Sequence, residues 1–341
     1  MAKNIDWESL GFDYTALDYR YVARWKDGQW GKGELITDPT VHISECAGVL
    51  QYGQAAFEGL KAYTTKDGRI VTFRPDLNAE RMIDSANRLV MPPVSKEMFI
   101  EAVDAVVKAN KEYVPPYGTG ATLYIRPYIY GCGPVIGVAP APEYEFRMIA
   151  MPVGRYFKAG VKPVAVKISD YDRAAPMGTG MIKASLNYAM SLYPGMKAHE
   201  EGYAENIYLD PKTRTKIEEA GGMNVIFITK DGTLVTPKSN SILPSVTRRS
   251  LEVVARDILG MKVEHREVTL EEVPQFEECG LCGTAAVIAP VGKINNHGEE
   301  ICFPCGMEKA GPVLQKLYDT LTGIQMGTVE APEGWIHEIE C

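Results

Sequence analysis

The 341-residue sequence has no uncharged apolar run approaching the roughly 18–20 residues that a membrane helix needs, and residues 1–10 lack the apolar core of a signal peptide. These absences exclude a helical membrane protein and point to the cytoplasm. Positive charge is not in excess either. Lys and Arg total 36 against 44 Asp and Glu, a formal net charge of −8, which argues against general affinity for nucleic acid or anionic membranes. The five histidines are widely scattered, which disfavours a His-based metal site. GxxxxGK[ST], GxSxG and HExxH are all missing, as are internal repeats and low-complexity tracts. The loop Gly131-Cys-Gly133-Pro-Val-Ile-Gly137 misses dinucleotide-binding spacing by one residue and contains proline. His297-Gly-Glu299 ahead of Pro304-Cys305 lacks the second cysteine of a deaminase zinc site.

What is there is an ordinary globular composition, 45% hydrophobic and 23% charged, in a chain long enough for two domains. The Gly-, Lys- and Pro-containing stretch 154–163 is the expected linker, with one domain at 1–153 and the other at 164–341. Three Lys-Asp-Gly tripeptides, at 26–28, 66–68 and 230–232, lie between apolar or β-branched runs. Asp-Gly there supplies the positive φ of a hairpin turn. The pairs they join include 60–65 with 69–73 and 223–229 with 233–237. Further strands are expected at 121–130, 146–153, 164–168, 207–209, 263–268 and 284–290. Helical spacing covers 77–89, 96–113, 185–201, 245–259 and 307–322. Without a strict βαβ rhythm, this interleaving predicts an α+β protein with mixed sheets.

Four segments carry candidate chemistry. Lys183 is the only charged residue between Ala174 and Met196. A lysine in apolar surroundings has its pKa drawn down and becomes a nucleophile able to form a Schiff base; equally, its stem can lie on apolar surface with the ammonium in water. The run Ser239-Asn-Ser-Ile-Leu-Pro-Ser245-Val-Thr247 leads into a helix whose first amides, of Val246 and Thr247, suit a phosphate, and it is also an ordinary loop with an N-cap serine. Glu218-Glu219 ahead of Ala-Gly-Gly sets a carboxylate beside approachable backbone, or forms a solvated edge. Cys279-Gly-Leu-Cys282 with Cys302-Phe-Pro-Cys305 has zinc-site spacing, but Cys282 runs straight into strand-like sequence. Bound zinc, a redox pair and independent thiols all remain open there.

Taken together, Tyr52-Gly-Gln-Ala-Ala-Phe57-Glu-Gly, Phe73-Arg-Pro-Asp-Leu-Asn-Ala-Glu-Arg81-Met, Tyr124-Ile-Arg126-Pro, Lys183-Ala-Ser-Leu-Asn-Tyr188, Glu219-Ala-Gly-Gly-Met-Asn, Ile242-Leu-Pro-Ser-Val-Thr-Arg248 and Gly283-Thr-Ala-Ala resemble the motifs of branched-chain amino acid aminotransferases, in the family's order. The resemblance implies a fold-type IV enzyme of the D-amino acid aminotransferase-like fold. It would have a small N-terminal α/β domain, an interdomain loop and a larger domain that binds pyridoxal 5′-phosphate. It implies that Lys183 carries the cofactor as a Schiff base, that Arg81, Val246, Thr247 and Thr284 bind its phosphate, that Tyr188 bonds its phenolic oxygen and that Glu219 bonds its ring nitrogen.

For substrate, it implies an apolar pocket of Phe12, Phe57, Tyr124 and Tyr188 that takes leucine, isoleucine and valine. Tyr52, Ile136 and Val138 would arrive from the other subunit of a homodimer. The Thr284–Ala285 turn would receive the α-carboxylate, and Arg126 the distal carboxylate of glutamate or 2-oxoglutarate. Gly222 stands where many relatives carry a hydroxyl residue, and Ser245 where glycine is common. Ala286 and Ala289 replace the redox cysteine pair of some relatives, so thiol regulation does not carry over. D-amino acid aminotransferase and aminodeoxychorismate lyase share the lysine, glutamate and phosphate positions but usually lack the Phe12 segment and the Tyr124-Ile-Arg126-Pro pattern. A zinc-stabilised scaffold built on the four cysteines is the alternative outside the fold.

Overall fold

All three Lys-Asp-Gly tripeptides sit in turns between paired strands: Arg20–Lys26 with Gln29–Trp30, Leu60–Thr64 with Ile70–Phe73, and Asn224–Ile228 with Leu234–Pro237. Gly28, Gly68 and Gly232 have φ of 82°, 85° and 82°, the left-handed conformation that glycine enters without penalty. The structure is a computed structural model that describes residues 5–156 and 160–341. Residues 157–159 of the expected linker lie outside the described residues. The chain divides into two units. Of the described residues, one takes 5–156 together with Ile182–Leu186 and Gly323–Cys341; the other takes 160–181 and Asn187–Thr322.

The first unit is built on a nine-stranded sheet whose path runs Ile336–Glu338, Ile70–Phe73, Leu60–Thr64, Thr122–Gly131, Tyr144–Val153, Arg20–Lys26 and Gln29–Trp30. Glu34–Ile36 and Ala55–Phe57 are added off that path. Every pairing in it is antiparallel. Mixed pairing, expected generally, is confined to the other unit. Helices Pro75–Arg88 and Lys96–Ala109 contribute Met82, Phe99, Val103 and Val106 to a core shared with Leu123, Ile125, Phe146 and Met148 of the sheet.

In the second unit, strands Ile217–Ala220, Glu205–Leu209, Val164–Ile168, Val287–Asn296, Glu278–Gly283 and Asn224–Ile228 follow one another around a closed ring. The ring is completed where Glu219 faces Asn224. Val164–Ile168 pairs parallel with both its neighbours. Closure leaves no free strand edge in that ring.

Several expectations shift. The strand expected over 284–290 begins at Val287, because residues 284–286 form the turn from Glu278–Gly283, a strand the sequence reading did not include. Val287 leaves that turn with φ of 61°, unusual for a β-branched residue. The helix expected at 307–322 starts at Pro312, where the Glu278 carboxylate accepts the amides of Val313 and Leu314 at 3.0 and 2.8 Å and caps the first turn. The expected helix 96–113 closes at Ala109 and tightens into a 3₁₀ turn at Lys111–Tyr113; that expected at 245–259 is α-helical over Val246–Val253 and π-helical over Val254–Ile258. Among the described residues no helix is long and apolar enough to cross a membrane.

Candidate active site

In the first unit, Lys183 is held by its backbone. Its N–H donates to Ser85 Oγ at 3.0 Å, its carbonyl accepts the Phe57 N–H at 3.1 Å, and the next residue, Ala184, bridges Ala56. This strap leaves the side chain half-buried, with Nζ 4.7 Å from the centre of the Phe57 ring. The Arg126 guanidinium lies over the same ring at 4.7 Å and over Tyr124 at 5.2 Å, and donates to the Tyr124 hydroxyl from Nη2 at 2.8 Å. Phe12 meets Tyr124 edge-on, with ring centres 5.0 Å apart. Contact therefore runs continuously from Phe12 through Tyr124, Arg126 and Phe57 to Lys183.

Arg81 lies one helical turn before Ser85, whose hydroxyl donates back to the Arg81 carbonyl at 2.8 Å. Its buried guanidinium forks onto Glu58, which also accepts the Asn78 amide at 2.7 Å. Burial pushes the Glu58 carboxyl up, but the charge and fork of Arg81, the Lys183 charge and the Asn78 amide together hold it below the ordinary carboxylate value. Glu58 and Asn78 stand inside the quoted motifs, yet neither was given a role there. Tyr52, Ile136 and Val138 group separately: the Tyr52 hydroxyl donates to the Ile136 carbonyl, and Ile136 and Val138 are 68% and 91% exposed.

The second unit carries Tyr188, Glu219, Val246, Thr247, Thr284 and Ala285. Glu219 is buried at the ring closure. Arg173 Nη2 reaches its Oε1 at 2.5 Å, the Leu243 N–H donates to Oε1 at 2.8 Å, and the Asn224 amide donates to Oε2 at 2.7 Å. Such a carboxylate is a rigid acceptor. Arg248 Nε in turn donates to the side-chain oxygen Oδ1 of Asn224 at 3.0 Å. Arg173, Asn224 and Arg248 are further residues that the sequence reading missed, the last two despite lying inside quoted motifs. Glu218 is a different case: burial raises its carboxyl pKa, and it accepts from Ser239 Oγ at 2.6 Å. Ser245 caps Val246–Val253 by accepting the Arg248 N–H at 3.2 Å, which puts Val246 and Thr247 in the first turn; both are buried. Tyr188 is half-buried on helix Ser185–Glu200, and Thr284 and Ala285 lie half-buried in the turn before Val287.

The cysteine spacing has a structural explanation. Cys279 and Cys282 lie three apart in an extended strand, so their side chains leave opposite faces of the sheet and cannot converge on one ion. Both are buried free thiols pushed upward by desolvation, Cys282 to about 12, while Cys302 is exposed. Among the described residues no group of three or more His, Cys, Asp or Glu is arranged to hold a metal ion. A cavity of about 710 Å³ in the first unit is lined by Arg24, Lys26, His42, Cys132, Glu143 and Glu145 among others, and by none of the expected site residues.

The amino-transferase class IV family matches residues 55–294. A branched-chain amino acid aminotransferase of Haemophilus influenzae is 53% identical over 99% of this chain and 100% of its own length, and one from Helicobacter pylori is 47% identical over 99% and 98%. The chain belongs to the branched-chain amino acid aminotransferases of class IV. Among solved branched-chain aminotransferases, the T.th. enzyme with pyridoxamine 5′-phosphate is 27% identical at a TM-score of 0.78, over 93% of this chain and 98% of that one. The same enzyme has been solved with N-(5′-phosphopyridoxyl)-L-glutamate and with 4-methylvaleric acid. At 99% coverage of this chain, the matches to these relatives take in the segment carrying Phe12.

Proposed function

We propose that the protein transfers the amino group reversibly between L-leucine, L-isoleucine or L-valine and 2-oxoglutarate, by a ping-pong sequence with pyridoxal 5′-phosphate bound. The observation that carries this reading is Lys183, strapped by its backbone to Ser85 and Phe57 with its amine against an aromatic face. The donor set fits the cofactor chemically: a buried guanidinium at Arg81 and helix-start amides at Val246 and Thr247 suit a phosphate, and a rigid buried carboxylate at Glu219 suits a protonated ring nitrogen.

When bound, pyridoxal phosphate supplies the electron sink that acidifies the substrate Cα–H. Lys183 would hold it, and its freed Nζ would take the proton from the substrate Cα as base and deliver it as acid to the cofactor carbon C4′, so that the amino group stays with the cofactor. Arg81, with Val246, Thr247 and Thr284, anchors the phosphate. Glu219 keeps the ring nitrogen protonated, and Tyr188 bonds the phenolic oxygen. Phe12, Phe57, Tyr124 and Tyr188 form the apolar wall for the branched side chain. The Thr284–Ala285 turn takes the α-carboxylate, and Arg126, lying on two aromatic faces, takes the distal carboxylate of glutamate.

We further propose a cytoplasmic homodimer in which Tyr52, Ile136 and Val138 complete the neighbouring subunit's pocket. Their exposure and the Tyr52–Ile136 contact support this. Residues 154–163 would be the loop between a domain at 1–153 and one at 164–341. The test is direct. Purified protein should give parallel-line initial-rate kinetics with L-leucine and 2-oxoglutarate, and Lys183→Ala should abolish nearly all turnover and the cofactor's absorption band. Normal turnover in that variant would refute the assignment.

A further inference from the structure

The N-terminal segment that carries Phe12 is hydrogen-bonded to the chain at the end of a sheet strand. Gly154, directly after strand Tyr144–Val153, donates its N–H to the Gly11 carbonyl at 3.0 Å. A Cβ built on Gly154 would lie 2.0 Å from the Leu10 carbonyl oxygen and 2.8 Å from its carbon, both backbone atoms that cannot swing aside. Gly154 does not have a positive φ, so its backbone would accept an L-residue, and the need for glycine comes from contact alone. The neighbouring residue is fixed as well: Arg155 Nε and Nη2 donate to the carbonyls of Thr119 and Gly118 at 3.0 and 3.2 Å.

Two residues on from Leu10, Phe12 is half-exposed and rests edge-on against Tyr124. Tyr124 belongs to the strand that pairs with Tyr144–Val153, with Thr122 opposite Val153 and Tyr124 opposite Met151. The segment therefore runs from its fastening at Gly154 to the aromatic row one strand away. With Phe12 half in solvent, burial alone holds it weakly.

We propose that Gly154 is a positioning residue for substrate choice. Its missing side chain lets residues 10–12 seat against the sheet, and that seating fixes Phe12 as a wall for the branched side chain. The inference rests on the reading above that Phe12 and Tyr124 line the substrate pocket. A methyl at 154 lifts the segment and frees Phe12. Loss of an apolar wall weakens leucine more than glutamate, whose distal carboxylate is held by Arg126.

The experiment compares full-length wild type, Gly154→Ala, Phe12→Ala and the double variant, each with cofactor bound. In wild type, the Gly154 amide should be protected from hydrogen exchange. In Gly154→Ala, exchange should rise in residues 5–13 while strands Thr122–Gly131 and Tyr144–Val153 keep their protection. The kcat/KM for L-leucine should fall about tenfold in either single variant and no further in the double one, with a smaller fall for L-glutamate, so that the leucine-to-glutamate ratio drops in each. Rapid exchange of the wild-type Gly154 amide, unchanged exchange in residues 5–13, or additive losses in the double variant would each overturn the proposal. Should Gly154→Ala not accumulate folded, the wild-type exchange and the kinetics of Phe12→Ala still decide. An unchanged kcat/KM for leucine in Phe12→Ala rejects the specificity role even where the segment proves fastened. The aminotransferase reading is tested separately, through Lys183.

Discussion

Glu58 closes both carboxylate oxygens on Arg81, with Nε meeting Oε1 at 2.7 Å and Nη2 meeting Oε2 at 2.8 Å, and both side chains are withdrawn from water. The arginine proposed for the phosphate is thus already ordered by an internal anion, and the strap at Ser85 ties its helix to Lys183. The proposed phosphate anchor and the proposed cofactor lysine are thus joined through one hydrogen-bonded network, Glu58–Arg81–Ser85–Lys183.

Removing one member of a buried pair leaves the other charge uncompensated. Glu58→Gln should cost about 3–5 kcal/mol of folding stability at neutral pH. Because the Glu58 carboxyl titrates lower in the folded protein than in the unfolded chain, its contribution is complete above the ordinary glutamate value. That contribution is lost as pH falls through the lower folded value. Urea unfolding of both proteins across pH should show a wide gap at pH 7 that closes below about pH 4. Equal midpoints at pH 7 would reject the pairing.

Arg173 serves three acceptors at once: the Glu219 carboxylate and the carbonyls of Gly180 and Ser241, at 2.7 and 2.8 Å for the two carbonyls. Arg173→Met should lower the melting temperature of cofactor-free protein, costing about 3–5 kcal/mol. It should also weaken pyridoxal phosphate binding in an absorbance titration. Arg173→Lys restores the charge without the planar fork and should recover only part of both losses. Full recovery by lysine would show that charge alone matters.

The contrast between Lys183 and these partners explains what was legible in the sequence. Lys183 declares itself locally, as a single charge in a long apolar window. Glu58 and Arg173 do not, since their work depends on Arg81 and Glu219, 23 and 46 positions away, and only the fold supplies the apposition. The hairpins were readable because Asp-Gly fixes a turn by itself. Residue patterning alone puts 284–286 in a strand, and only the resemblance implies a turn at Thr284–Ala285, because Val287 takes a conformation that β-branched residues avoid. The helix start at Pro312 depends on a carboxylate from Glu278, far back in the chain. The two cysteines at 279 and 282 looked like ligands only as long as their strand was unknown.

Lys61 is buried in strand Leu60–Thr64, and desolvation brings its ammonium pKa down from 10.5 to about 8. Between those values the unfolded chain binds more protons than the folded one, so this group's effect on stability improves as pH rises. Lys61→Met, similar in volume and uncharged, escapes this penalty, so its stability relative to wild type should be more favourable below pH 8 than at pH 10.5 by roughly 3 kcal/mol. The difference between the two proteins, followed by denaturant unfolding from pH 6 to 10.5, isolates Lys61 from other titrating groups. A pH-independent difference would contradict the burial argument.

Helix Pro75–Arg88 ends in a Schellman arrangement, in which the Val90 N–H donates to the Asn87 carbonyl at 3.2 Å and the Met91 N–H to the Ala86 carbonyl at 2.9 Å. The geometry requires a left-handed residue at the position Val90 occupies, and Val90 has φ of 54°. A β-branched side chain there costs on the order of 1–3 kcal/mol. At 65% exposure it gains little from burial in return. Met91, the next residue, is buried in the same apolar core as Ala86 of the last turn. Val90→Gly removes the strain and keeps both backbone bonds, while the unfolded chain gains about 0.4–1 kcal/mol of conformational freedom. The net expectation is a stabilisation of about 1 kcal/mol, visible as a higher denaturant midpoint with an unchanged slope. Val90→Ala keeps a Cβ in the left-handed region and should recover less than glycine does. A destabilised Val90→Gly protein would mean that contacts of the valine methyl groups outweigh the backbone strain.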